Sequence, residues 1–327
     1  YFIIAANAFM QNPVGYTYNA ATNRAELTDF WALLTNKVAL AAFPHTIFGA
    51  FMLATGVVIS VSAWHLSRGQ HVATMRKSLK FGLWGILVAT AGVVLTGDQL
   101  GLAMVSTQPM KMAAAEAMFN SSCGADASFS LFSIGTPDGT GEIWSLRVPY
   151  LLAFLSTHDL NGCVEGINDL NAQYAHQFAS TGLTDFTPVL WITYWAFRWM
   201  IGLGMLHAFI ALVGLWITRK NAKRQPAPWM WKIAIWSFPL SLGANIVGWV
   251  FTEMGRQPWI VFSLMTTQNG VSPGVSGVEV LISLISFTAI YAALAVVEIG
   301  LIVRAAKKGP DITEKHDEDA PVPSVVY

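Results

Sequence analysis

In WVFTEMGRQPW, residues 249–259, an acid, an arginine and a proline follow in quick succession at the end of a long apolar stretch. Trp249 and Glu253 are four apart, so on a helix they share one face. An ionisable group at the end of a membrane helix, with an aromatic ring one turn away, is a functional-site hypothesis. The same residues also read as an interfacial anchor, with Trp249 and Trp259 among the headgroups and Arg256 reaching for water.

His45, in AAFPHTIFGAF, lies about seven residues into its apolar stretch, roughly 10 Å deep at helical rise. A buried imidazole needs a partner for each nitrogen, or a metal. A lone membrane histidine is more often a helix–helix hydrogen-bonder than a ligand. Gly49, one turn on, leaves room for a flat ring to approach. In WAFRWMIGLGM, Arg198 and Met200 fall about eight to eleven residues from their outer end, a depth close to that of His45. An arginine there is costly unless it faces an anion. Haem propionates are such anions, and a thioether is an uncommon axial haem ligand that raises the potential. Met200 by itself reads as core packing. A histidine, a methionine and an unpaired arginine at one depth make a stronger signal.

In QPMKMAAAEAMF, Pro109 is placed to begin a helix carrying Lys111 and Glu116. Five residues set these about 140° apart around a helix, so they do not pair. They either contact different parts of one ligand or belong to a solvated face. Glu279 and Glu298 lie near the outer and inner ends of the last apolar stretch; Glu298 either pairs with Arg304 or lines a proton route. His65, His71, His158, His176 and His207 have no partner readable in the sequence, and His207, inside a span, reads as packing.

The elements that must position these residues follow from composition. The chain is 54% hydrophobic and 12% charged, with 13 Trp and 19 Phe among 327 residues. Apolar segments of about 20 residues recur, long enough to cross a bilayer as helix. The expectation is an all-α integral membrane protein, a polytopic transmembrane helix bundle with one long extracytoplasmic loop. The opening, YFIIAANAFM, reads as the end of a spanning helix whose N-terminal part is missing. LTDFWALLTN reads as a short interfacial helix after a turn-rich loop. Full spans are expected at approximately 38–66, 79–105, 189–218, 231–254 and 277–304. This divides the chain into membrane helices (1–105), a polar loop (106–188), further membrane helices (189–304) and a charged tail (305–327). No internal repeat and no basic aromatic groove for nucleic acid is visible.

Arg68, Arg76, Lys77 and Lys80 share one connection, and Arg219, Lys220, Lys223, Arg224 and Lys232 another. With Arg304, Lys307, Lys308 and Lys315 of the tail, these are thirteen of the 19 basic residues, all on one side if each span crosses once. The excess of positive charge marks that side, and the C-terminus, as cytoplasmic. The loop and GRQPW then lie outside, where Cys123 and Cys163, the two cysteines of the chain, are free to pair as a disulfide. Closing that loop is worth on the order of 4 kcal/mol in the chain-entropy model. Neither cysteine has a partner at metal-ligand spacing.

Taken in order, NAFMQNPVG, His45 in its helix, GDQLG with QPMKMAAAE, FRWMIGLGM and WVFTEMGRQPW resemble subunit I of the cytochrome bd quinol oxidases, across nearly the whole chain. The resemblance implies that His45 and Met200 are the axial ligands of haem b558 and that Arg198 stabilises its reduced state. It implies that Lys111 and Glu116 oxidise quinol in a short-type Q-loop (106–188), and that Glu253 ligates haem b595. It places Trp249 between the haems as an electron stepping point, and suggests propionate contact for Arg256. Asp98, in the GD segment, carries no assigned role.

The implied activity is quinol:oxygen oxidoreduction in a bacterial plasma membrane. Quinol would be oxidised at the outer face and electrons passed through b558 and b595 to haem d, where O2 becomes water. Proton-motive force arises without a pump, because the protons are released outside and taken up from inside. The histidine that binds haem d in this family lies on helices outside this segment. Implied partners are subunit II, small accessory membrane subunits, membrane quinol and O2. Two rivals remain at this point: a b-type electron-transfer anchor that reduces no oxygen, and a haem-free transporter whose buried charges line a substrate path.

Overall fold

Inside a bilayer a peptide group has no water to bond, so long apolar runs satisfy their backbone as helices. The computed structural model of the chain, which describes residues 1–22, 24–136, 141–219 and 227–310, follows that rule. It opens with α1 (Phe2–Gln11), a hairpin of β1 (Tyr16–Asn19) and β2 (Arg24–Leu27), and a short α2 (Phe30–Leu34) capped by the Asp29 carboxylate. The long helices α3 (Lys37–Ser67) and α4 (Val72–Thr107) follow. The loop then holds α5 (Pro109–Glu116), β3 (Ser122–Cys123), β4 (Phe129–Gly135), β5 (Glu142–Val148), α6 (Leu151–Thr157), β6 (Cys163–Val164) and α7 (Ile167–Gln177). The chain returns to the membrane as α8 (Leu190–Ile217), α9 (Pro228–Ile235) and α10 (Phe238–Met254). A small pair, β7 (Trp259–Val261) and β8 (Met265–Thr266), leads to α11 (Gly277–Lys308).

Among the described residues, five segments are long and apolar enough to cross a membrane: 30–67, 72–107, 190–217, 228–254 and 277–308. Their positions match the expected spans, the first counting the short α2 ahead of α3, with two further differences. α4 begins seven residues before the expected 79, because a helix keeps its own hydrogen bonds after its apolar part ends. Arg76, Lys77 and Lys80 ride on that extension. The expected single span 231–254 begins at Pro228 and is broken at Trp236–Ser237 into α9 and α10. Pro239 explains the break: it has no N–H for the carbonyl four residues back, and it fits the first turn of a new helix.

The bundle core lies where α3, α4 and α8 meet, around Met52, Ile59, Leu83, Ile86 and Ala211. Close approach depends on small residues; a Cβ on Gly82 would stand 2.8 Å from Ile59. The loop is not a plain polar connection. Its Met110, Ile167, Leu170, Tyr174 and Phe186 form a second core with Trp259 of β7, and its amphipathic pieces gain stability by this packing. Cys123 and Cys163 stand opposite each other in the β3–β6 pair, joined by a disulfide. The segment expected to be turn-rich after α1 is the β1–β2 hairpin. α11 stands apart, exposed along its length, with the Ala306 carbonyl 2.8 Å from His65 Nε2 near its end. Of the basic connections, Lys220, Lys223, Arg224 and Lys315 lie outside the described residues, as does the tail beyond residue 310.

Candidate functional site

A cavity of about 660 Å³ opens among α3, α4, α5, α8 and α10, with His45, Asp98, Lys111, Glu116, Met200 and Trp249 on its wall. His45 is oriented by Thr96 of α4, whose Oγ1 lies 3.2 Å from Nδ1. Two glycines clear the way for the candidate axial pair. A Cβ on Gly97 would come within 3.3 Å of His45 Cε1, and one on Gly248 within 3.0 Å of Met200 Sδ. Gly49, expected to make room for a ring, lines the same cavity, and an added Cβ there would lie 2.8 Å from Asn245 Oδ1.

Pro109 starts α5 as its sequence suggests, but the solvated-face reading of Lys111 and Glu116 fails: both side chains are buried. They do point apart. Lys111 Nζ donates to Gln11 Oε1 and to the Thr252 carbonyl, each at 3.2 Å. Glu116 Oε2 accepts from Arg198 Nη2 at 2.7 Å and from the Ser130 amide at 2.9 Å. Burial lowers the Lys111 pKa to about 7, helped by the nearby Arg256 charge and opposed by Glu253. Burial raises that of Glu116, with Arg198 the largest opposing influence.

Arg198 is therefore not unpaired, as the sequence suggested. A partner 82 residues away in the chain leaves no trace in local spacing. Its Nε and Nη1 are nevertheless buried without acceptors, and Glu116 Oε1 is buried without a donor. The guanidinium also lies 4.7 Å from the Phe129 ring centroid and 4.8 Å from that of Tyr194.

Glu253 does not line the large cavity. It is half-exposed, pairs with Arg256 one turn on, and accepts from Asn7 Nδ2 at 2.8 Å. Gln11 Nε2 donates to Asn7 Oδ1 at 2.7 Å. Lys111, Gln11, Asn7, Glu253 and Arg256 thus form one hydrogen-bonded chain. Asn7 and Gln11 were missed as site residues, although two amides four apart in an apolar helix were the available signal. Trp249, one turn before Glu253, borders the cavity on the same helix. Arg256 is buried, with Nε and Nη1 lacking acceptors.

Other expectations resolve individually. Asp98 finds His158, whose Nε2 is 3.1 Å from its Oδ2, a pairing between α4 and the loop that no spacing revealed. His207 is buried against Ser241, in keeping with a packing role. Glu279 completes a capping box with Ser276 at the start of α11. Glu298 makes no ion pair with Arg304 among the described residues. Six residues place the two on different helix faces, about 120° apart.

The family profile described as "Cytochrome bd terminal oxidase subunit I" matches residues 1–310. The chain is 37% identical over 319 residues to "Cytochrome bd ubiquinol oxidase subunit 1" of Bacillus subtilis (strain 168), covering 97% of this chain and 66% of that protein. It is 27% identical to "Cytochrome bd-II ubiquinol oxidase subunit 1" of Escherichia coli (strain K12), covering 94% and 70% respectively. Among solved structures, the bd oxidase from Geobacillus thermodenitrificans superimposes with a TM-score of 0.78 at 26% identity, over 94% of this chain and 67% of that one. The chain spans about two thirds of the length of these relatives. With five spanning helices, a folded loop after the second and a profile match through residue 310, the chain belongs to the cytochrome bd terminal oxidase subunit I family.

Proposed function

We propose that this chain is the quinol-oxidising, haem-carrying subunit of a terminal quinol oxidase, a quinol:oxygen oxidoreductase that works with a second membrane subunit. One observation carries the reading: a single cavity is bounded by His45 and Met200 at one part of its wall and by Lys111 and Glu116 at another. The side chains suit a haem. An imidazole and a thioether border one space, two glycines keep it open, and Arg198 offers two buried donors without acceptors. When bound, haems b558, b595 and d supply one-electron steps from quinol to the point where O2 is reduced to water.

The chain's own residues bind, orient and handle protons. His45 and Met200 would hold haem b558, and Arg198 would hold negative charge beside it. Lys111, with a pKa of about 7, is poised to take a proton from a quinol hydroxyl, and Glu116 anchors the other end through its unpartnered oxygen. Glu253, steadied by Asn7 and Arg256, would hold haem b595, and Trp249 on the wall of the large cavity would stand between the two sites. Protons leave on the loop side, taken as the outer face from the positive charge of the opposite connections, so charge separates without a pump.

A reduced-minus-oxidised visible spectrum of the purified complex, with quinol-driven oxygen uptake, tests this. A chlorin band beside b-type bands with uptake is expected. b-type bands alone would favour an electron-transfer anchor, and no haem would return the buried charges to a transporter.

A further inference from the structure

The β4–β5 hairpin is built inside out for a water-exposed loop. Its antiparallel register opposes Ser130 with Arg147 and Ser133 with Ser145, and on the alternate face Phe132 with Leu146 and Ile134 with Trp144. The polar face is the inner one. Ser130 and Ser133 are buried, the Ser130 amide holds Glu116, and Arg147 Nη2 donates to the carbonyls of Glu116 and Ala117 at 3.1 and 3.0 Å. Glu142 pairs with Arg147 on the same side at 3.1 Å. The apolar face is the outer one. From Phe132 at 39% to Ile143 at 63%, the six residues Leu131, Phe132, Ile134, Ile143, Trp144 and Leu146 are exposed. Leu131 and Ile143 sit at the two register shifts, so even the irregular positions add apolar surface. A contiguous apolar strip of this kind marks an interaction surface.

What meets it follows from where the hairpin is fixed. Ser130 Oγ is 2.8 Å from the Tyr194 hydroxyl, the Phe132 and Trp195 rings are 5.1 Å apart, and the Phe129 ring faces Arg198. Residues 194–198 lie about 6–12 Å along α8 from its loop-side end at Leu190, by helical rise. Over a 28-residue helix about 42 Å long, that is the depth where headgroups give way to acyl chains. Trp191 and Trp199, both strongly exposed on α8, bracket this level as an aromatic belt does.

We infer that the β4–β5 hairpin lies in the lipid interface of the leaflet on the loop's side, its apolar strip against lipid and its polar strip holding Glu116. Lipid is favoured over a protein partner because the Phe132 ring meets Trp195, one turn from the exposed Trp191 and Trp199, so the strip continues a tryptophan-lined face of α8 at headgroup depth.

The test uses the whole complex in lipid nanodiscs, with an environment-sensitive NBD label on Leu146→Cys and, as a second position, Ile134→Cys. Asn161→Cys, exposed elsewhere on the loop, is the reference. Blue-shifted emission, quenching by lipids spin-labelled near the headgroup and protection from aqueous iodide are expected at the two hairpin sites, with iodide access at Asn161→Cys. Iodide access at the hairpin sites would overturn the inference. So would protection from both quenchers, with a photo-crosslinker at the same positions joining another polypeptide. None of these readouts depends on quinol turnover, so the result stands apart from the oxidase reading.

Discussion

Glu116 of the loop and Arg198 of α8 form a buried ion pair at 2.7 Å, their side chains 1% and 8% exposed. The pair ties the folded loop to the membrane bundle, with Glu116 on the wall of the cavity. One oxygen of the acid and two nitrogens of the base stay without partners, so the pair holds capacity for a third group.

Breaking this pair from one side leaves a buried charge. Arg198→Met is expected to destabilise the assembled complex by about 3–5 kcal/mol, read as earlier thermal loss of its native absorbance. Glu116→Gln removes charge but keeps hydrogen bonding, and should slow quinol oxidation about 10²-fold or more with b-type bands retained. If haem content collapses in Glu116→Gln, the residue is structural.

Lys111 is expected to make turnover pH-dependent. Its folded pKa is about 7 against an ordinary 10.5. Below pH 7 both folded and unfolded chains hold the proton, and the cost of burial is fully present. Between about pH 7 and 10.5 the unfolded chain binds more protons, so stability rises with pH across that window. Quinol oxidation should show a limb centred near pH 7, rising as the amine becomes neutral. Lys111→Met should lack that limb, and its persistence there would remove Lys111 as the titrating group.

Met200→Leu is expected to turn the low-spin b-type signal high-spin or deplete it. Gly248→Val should act the same way through Met200, since even its Cβ would crowd the sulfur at 3.0 Å. An unchanged low-spin spectrum in Met200→Leu excludes the thioether as ligand.

Asn7→Leu removes the donor to Glu253 Oε1 and keeps the Thr96 contact of His45, while Asn7 also borders the large cavity. The expected outcome is a shifted high-spin b-type band and unshifted low-spin bands, by difference spectroscopy. A shift confined to the low-spin bands would contradict the separation of Glu253 from the large cavity.

The spans were legible because bilayer crossing demands length and hydropathy, which single segments carry. His45 and Met200 were legible for a related reason: polar or sulfur groups stand out in apolar runs, and equal depth can be counted in residues. Contacts between distant segments were not. Glu116 with Arg198, Asp98 with His158 and Asn7 with Glu253 pair residues separated by 82, 60 and 246 positions. The α9–α10 break was readable from Pro239, yet hydropathy smooths over such a residue. The loop's second core was missed because its apolar residues are scattered singly among polar ones.

The Cys123–Cys163 disulfide encloses both hairpin strands and α6, while Lys111, Glu116 and α7 lie outside the closed ring. A protease that nicks the chain once anywhere between the two cysteines therefore releases no fragment. The severed halves migrate as one species on a non-reducing gel and part only when a reductant opens the bond. The loop can lose its backbone continuity and keep Glu116 beside Arg198, so a nicked enzyme should go on working until it meets a thiol.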